Sequence, residues 1–192
     1  MPFDDQLALD DDALLALFAG GEQRAANVLT ARFLPRVYAH AARLVGVPAE
    51  AEDIAQEAML RLWKIAPKWR PGEASVRTWL YRVTANLAID ALRRRRTTSS
   101  EAVDELIDPA RPASEVMQDN MRLDALQSGL MQLPERQRQA VILRHIEGMT
   151  NPQIAQIMQI NVAAVESLTA RGKRALTALL AGRKDELGYQ DD

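Results

Sequence analysis

Apolar residues recur at three- and four-residue spacings through most of the chain, and the pattern breaks at glycine and proline. From Ser75 to Arg96, the residues Val76, Leu80, Val83, Leu87 and Ala91 form one apolar stripe, which predicts an amphipathic helix facing a core. Trp79, Arg82, Asn86, Asp90 and Arg93 fall on another face, which runs into four consecutive arginines. Upstream, Asp12 is placed to cap a first short helix that Gly20 and Gly21 end. A second helix, from about Glu22 to Val45, spaces Ala26, Leu29, Phe33, Val37, Ala41 and Leu44 for burial. Pro35 lies inside it and predicts a kink or a junction. The third, from Ala49 to Ala66, opens on acidic residues suited to the positive end of a helix dipole, with Ile54, Ala58, Arg61 or Leu62, and Ile65 inward. Lys68 to Ala74 reads as a loop by its Pro-Gly pair.

Beyond the arginines the pattern fades. Residues 97–113 are polar, acidic and proline-containing, and read as a flexible linker. Four helices follow: Ser114 to Leu133, one opened by Pro134 and stopped by Gly148, a short one capped at Thr150, and a long one capped by Asn161. A short helix, a three-residue break and a longer basic helix make a helix-turn-helix, with Ile154, Ala155, Ile160, Val165 and Leu168 as its small core. Its turn often carries glycine where this chain has Gln159; a left-handed conformation there costs about 1 kcal/mol. The fold expected is all-α: two small helical domains, 1–96 and 114–184, joined by a flexible acidic linker at 97–113 and ending in a tail at 185–192.

Charge changes the picture more than composition does. The net charge is only −2, yet Lys68 to Arg96 holds eight basic residues against two acidic ones, and Arg171 to Lys184 holds five basic residues and no acid. Acid is concentrated near the start and in the linker. Two basic patches with acidic spacers suggest two contact points on one polyanion. Guanidinium groups for phosphates, an amide for a base edge and an aromatic for stacking are the equipment for nucleic acid. On the third helix, Asp53, Glu57, Leu60 and Lys64 share a stripe with Gln56 and Trp63 beside them, a mixture that suits a protein contact.

Other chemistry finds little support. There is no cysteine, so disulfides and thiolate zinc sites are excluded, and no metal or cofactor is expected. His40 and His145 sit on different expected domains, Glu52 and Asp53 point to different helix faces, and no glycine-rich phosphate loop occurs. An enzyme is therefore not expected. With no apolar run near the roughly 18 residues of a membrane span and an acidic start unlike a signal peptide, we expect a cytoplasmic bacterial protein without membrane insertion.

Three stretches in this order, AEDIAQEAMLRLWK, SVRTWLYRVTANLAIDALRRRR and LPERQRQAVILRHIEGMTNPQIAQIMQINVAAVESLTARGKRAL, resemble an extracytoplasmic-function sigma factor, the compact group-four branch of the bacterial primary-type sigma family. The likeness covers roughly residues 20 to 181. It implies that Asp53, Gln56, Glu57, Leu60 and Trp63 dock on the clamp helices of the largest subunit of core RNA polymerase, the flap being a further contact. It implies that the loop Trp69 to Ser75, including Arg70, pockets with Asn86 a base flipped from the minus-ten promoter element. Arg77, Arg82, Asp90, Arg93 and Arg94 would form the neighbouring strand-contacting surface. Asn161, Val165, Ser167, Thr169, Arg171, Lys173 and Arg174 would read the minus-thirty-five element in the major groove. Glu166 and Leu168 stand where the family often has Lys or Arg, which leaves fewer phosphate anchors. By the same resemblance an anti-sigma factor wedges between the two domains. The competing expectation is a stand-alone helix-turn-helix regulator with an N-terminal dimerisation or ligand domain, binding a palindromic duplex without polymerase.

Overall fold

The computed structural model describes residues 9–98 and 114–182, so the expected tail and all but the first two residues of the expected linker lie outside the described residues. Among the described residues there are helices and turns but no strand. The helices are α1 (Asp11–Ala19), α2 (Gln23–Val45), α3 (Pro48–Ile65), α4 (Val76–Thr98), α5 (Ser114–Gln132), α6 (Glu135–Val141), α7 (Asn151–Met158) and α8 (Val162–Ala181). The chain divides into two compact units, one through Ala91 together with residues 155–159, the other formed by the remainder.

The first unit is built on one apolar cluster. Leu14 and Leu15 of α1, Phe33 and Val37 of α2, Ala58 and Leu62 of α3, and Val76 and Leu80 of α4 are all buried in it. Each buried leucine or phenylalanine contributes roughly 1.5–3 kcal/mol. Ala51, Ala55 and Ala58 make the inward face of α3 small, so that it lies close along α2. The helix ends follow local chemistry. Glu22 accepts from the Arg24 N–H to open α2, and Gly46, at φ 74°, closes it in the left-handed conformation that its missing Cβ permits. α2 runs through Pro35 without a break in the helix. The cap of α1 is Asp10, whose Oδ1 accepts from the Ala13 N–H at 2.7 Å, and not Asp12; three consecutive acids made the choice ambiguous.

α4 buries more than its stripe. Besides Val76, Leu80 and Ala91, the residues Tyr81, Thr84, Ala85 and Ala88 are inaccessible, while Val83 and Leu87 are only half-buried. Tyr81 meets His40 of α2 edge-on, ring centroids 4.6 Å apart. His40 is fully buried, and burial first, then the Arg43 charge, pushes its pKa down to about 3. The imidazole is neutral in both states above pH about 6.5; below that the unfolded chain takes up a proton that the folded chain refuses down to about pH 3. Stability of the first unit should therefore fall by about 1.4 kcal/mol per pH unit through that window from this group alone. Thermal midpoints of His40→Phe at neutral and mildly acid pH should lie closer together than those of the natural chain. Equal slopes would remove His40 as the cause.

In the second unit, Leu130 of α5, Leu133 just after it, Ala140 and Val141 of α6, and Val165 of α8 are buried. α8 packs on α6 and α5. The helix expected to run to Gly148 instead leaves α-geometry after Val141: residues Ile142–Ile146 form a π-helical turn, with the Glu147 N–H bonded to Ile142 O, five residues back, at 3.0 Å. The wider turn keeps both Ile142 and Leu143 buried. Asn161 caps α8 by accepting from the Ala164 N–H at 2.7 Å, and Gln159 does take the left-handed conformation, φ 53°.

Candidate nucleic-acid interface

A tight turn connects α3 to α4 and shapes the most distinctive surface of the first unit. After α3, a single 3₁₀ turn (Ala66–Lys68) directs the chain outward, and the Trp69 N–H bonds back to Ala66 O at 3.1 Å. Pro71 and Gly72 reverse the chain, and Ser75 starts α4, its Oγ accepting from the Thr78 N–H at 3.1 Å. The loop and the first turns of α4 enclose a cleft of about 330 Å³. Trp69 and Trp79, edge-on at 6.1 Å, are two of its walls. Lys68, Arg70 and Arg82 bring positive charge to its rim, and Glu73 the one acid among its lining residues. Aromatic walls with cationic edges suit a flat, anionic, nucleotide-like guest.

Of the residues expected at the minus-ten element, Trp69, Arg70 and Arg82 line this cleft. Asn86 does not line it but lies exposed one helical turn beyond Arg82 on the same side of α4. Asp90, Arg93 and Arg94 are exposed further along. Ser75 is engaged as the α4 cap, and Arg77 lies over the Tyr81 ring, its guanidinium carbon 5.5 Å from the centroid. These two serve the scaffold in the geometry seen here, a role that spacing alone does not reveal.

On α3, Asp53, Gln56 and Leu60 are exposed, and Leu60, at 51% exposure, is the most solvent-facing large apolar side chain among the described residues of the first unit. Glu57 beside them accepts from the Arg61 Nε–H at 2.8 Å, a bond that holds its carboxyl below the usual range. Trp63 departs from the expectation of an open stripe. Its ring packs on Phe18 of α1 with centroids 4.8 Å apart, so half of it belongs to the core. The i+10 position from Asp53 drifts toward α1 because ten residues fall short of three full turns by about 80°.

In the second unit, Asn161, Ser167, Arg171, Lys173 and Arg174 of α8 are exposed. Val165 is fully buried, so it supports the helix and does not present a surface to DNA, a correction to its expected contact. Thr169 is half-buried with its hydroxyl turned inward. His145 is lowered from its ordinary pKa by burial first and then by the positive charges of Lys173 and Arg144. Arg144 therefore adds its charge near the basic surface of α8, beside an imidazole kept neutral, a neighbourhood that the sequence separation of almost 30 residues conceals. Among the described residues no cluster of three or more His, Cys, Asp or Glu could hold a metal ion, and no helix is long and apolar enough to cross a membrane.

Comparison with known proteins bears on both surfaces. Residues 29–98 match the family model of sigma-70 region 2, and residues 123–176 match that of sigma-70 region 4. The ECF RNA polymerase sigma factor SigE of Mycolicibacterium smegmatis is 35% identical over 185 residues, covering 92% of this chain and 71% of that protein. The RNA polymerase sigma factor CarQ of Myxococcus xanthus is 36% identical over 169 residues, 85% of this chain and 93% of its own length. The structure of CnrH in complex with the cytosolic domain of CnrY superposes with a TM-score of 0.68 at 29% identity, covering 90% of this chain and 97% of that one. With two matched regions in the right order and relatives matched over 71% and 93% of their own lengths, this protein belongs to the sigma-70 family, as an RNA polymerase sigma factor of the extracytoplasmic-function branch.

Proposed function

We propose that the protein initiates transcription through three separate surfaces: α3 docks on the clamp helices of the polymerase largest subunit, the cleft at Trp69 and Trp79 receives one base of the minus-ten element, and α8 reads the minus-thirty-five element. The observation that carries this reading is the cleft itself. Its volume, about 330 Å³, is at the small end of ligand sites, suited to a single unstacked base. Flipping a base out of duplex costs a few kcal/mol, and stacking on an aromatic wall returns about 1–3 kcal/mol. The half-buried Arg82 and the exposed Arg93 and Arg94 supply phosphate contacts for the rest.

Neither DNA-binding surface needs to be strong alone. Bound to polymerase, the two are held near their promoter elements, and the second contact gains from effective concentration. We place domain roles at 1–96 for polymerase and minus-ten contacts and 114–184 for minus-thirty-five contacts. In this reading the protein performs no catalysis and works in the cytoplasm. CnrH was solved with the cytosolic domain of CnrY, and we propose a comparable anti-sigma partner here.

Adding the chain to core RNA polymerase over a genomic promoter library should produce start sites that core alone does not use; an unchanged set would refute the reading. Asn86→Ala should spare holoenzyme assembly and weaken minus-ten selectivity about tenfold, the scale of one lost base contact. A gel shift with free protein separates the stand-alone regulator: tight, palindrome-dependent duplex binding without polymerase would favour that alternative.

A further inference from the structure

The three acids that open α1 serve three different purposes, and one of them acts on the cleft. Asp10 caps its own helix. Asp11 forms an ion pair with Arg32 of α2, whose guanidinium also donates to Leu9 O at 3.3 Å. Asp12 reaches away from α1 and accepts the indole N–H of Trp69, 57 residues along the chain, at 2.9 Å.

That bond falls on a wall of the cleft whose ring is half-buried and packs by its carbon surface against the apolar core. Within the loop, the Arg70–Glu73 ion pair is 3.4 Å long between side chains that are 80% and 68% exposed, so it fixes little. Trp79 meets the Trp69 ring edge-on and the apolar core backs it, contacts made by carbon atoms that leave the indole N–H to be satisfied separately. The indole has one polar atom, and that atom is held by a carboxylate. The carboxylate is itself on a firm base, since Leu14 and Leu15 are fully buried and Arg32 clamps the start of α1. Position 12 lies outside residues 29–98, the stretch that matches sigma-70 region 2.

We propose that Asp12 is a positioning residue for base selection: its carboxylate holds the Trp69 indole at the angle that closes the cleft around one promoter base. The inference rests on the reading of the cleft given above. Without Asp12 the ring keeps its area but loses its fixed orientation, so the effect falls on discrimination between bases and not on assembly with polymerase.

The test uses holoenzyme reconstituted from the full chain and core polymerase, with initiation rates on a promoter and on its single-base variants across the minus-ten element. Asp12→Ala should lower the preference for the favoured base about fivefold to tenfold, the scale of one charge-assisted hydrogen bond, while assembly with core is unchanged. Trp69→Phe keeps an aromatic face but removes the N–H together with the pyrrole ring, and should reproduce the loss. The double variant should be no worse than either single one, because both break the same bond. If Asp12→Ala fails to fold in a melting assay, Trp69→Phe carries the test by itself. Wild-type discrimination in Trp69→Phe and in any folded Asp12→Ala, with discrimination lost in Trp69→Ala, overturns the inference and leaves the cleft reading standing. Additive losses in the double variant also overturn it. Wild-type discrimination in Trp69→Ala removes the cleft reading, and the inference with it.

Discussion

Asp53→Arg combined with Leu60→Glu should abolish holoenzyme assembly while the chain remains folded. Both side chains are exposed on α3, whose burial is carried instead by Ile54, Ala58, Met59 and Leu62. Substitutions at such exposed helix positions change stability by roughly 0.5 kcal/mol or less. An interface is less forgiving. A leucine half in water before docking is the natural anchor of a contact, and a carboxylate in its place must be desolvated without a partner. Together with a reversed charge at 53, the loss should exceed about a hundredfold in affinity for core. Fluorescence anisotropy against core polymerase, paired with a thermal melt, gives both readings; assembly at natural affinity would mean that polymerase docks elsewhere. Trp63→Ala is unsuitable for this purpose. It removes the Phe18 contact and should cost about 3 kcal/mol of fold stability, confusing the two effects.

Gly172→Leu should leave the second unit unfolded at ordinary temperature. Gly172 sits where α8 crosses α6, and it is buried. A Cβ there would lie 2.6 Å from Val141 Cγ2 and 3.0 Å from Gln137 O. Val141 is itself buried, and the Gln137 oxygen belongs to helix backbone, so neither can swing aside freely. Helix propensity argues the other way, favouring any ordinary residue over glycine by up to about 1 kcal/mol. For Gly172→Ala the clash of about 1–3 kcal/mol still wins, lowering the midpoint of this unit by roughly 5–10 °C. Leucine adds three more carbons to a space that rejects one. Urea unfolding followed separately for the two units should show the first unit's transition unmoved. A natural midpoint for Gly172→Leu would show that the two helices part without cost.

How much of this was legible in the residues depends on which physical question was asked. Helix existence and ends were readable where one residue makes its own decision: Gly46 accepts positive φ, Asn161 has the side chain to cap, and Gln159 takes the left-handed conformation that the turn between the two helices requires. Periodicity identified residues that share a face, but it could not count how many faces a helix buries. α4 is packed on two sides, so Tyr81, Thr84 and Ala85 vanish from solvent although they lie off the predicted stripe. Trp63 was misplaced for a related reason, since a neighbour from α1, absent from any local pattern, covers it. The π-helical turn after Val141 and the crossing at Gly172 depend on contacts between distant segments. The candidate site divides the same way. Its cations and tryptophans were visible, whereas the bond that orients Trp69 joins residues 57 positions apart and has no spacing signature.

That first helix has a practical consequence for anyone trimming the gene. A fragment begun at residue 29, where the matched region starts, would retain the whole tryptophan-lined cleft and look complete by homology. It would nevertheless strip Leu14, Leu15, Ala25 and Val28 from the hydrophobic interior and remove the carboxylate that holds the indole. Such a truncated protein would show poor solubility and careless promoter choice, faults easily blamed on the expression host.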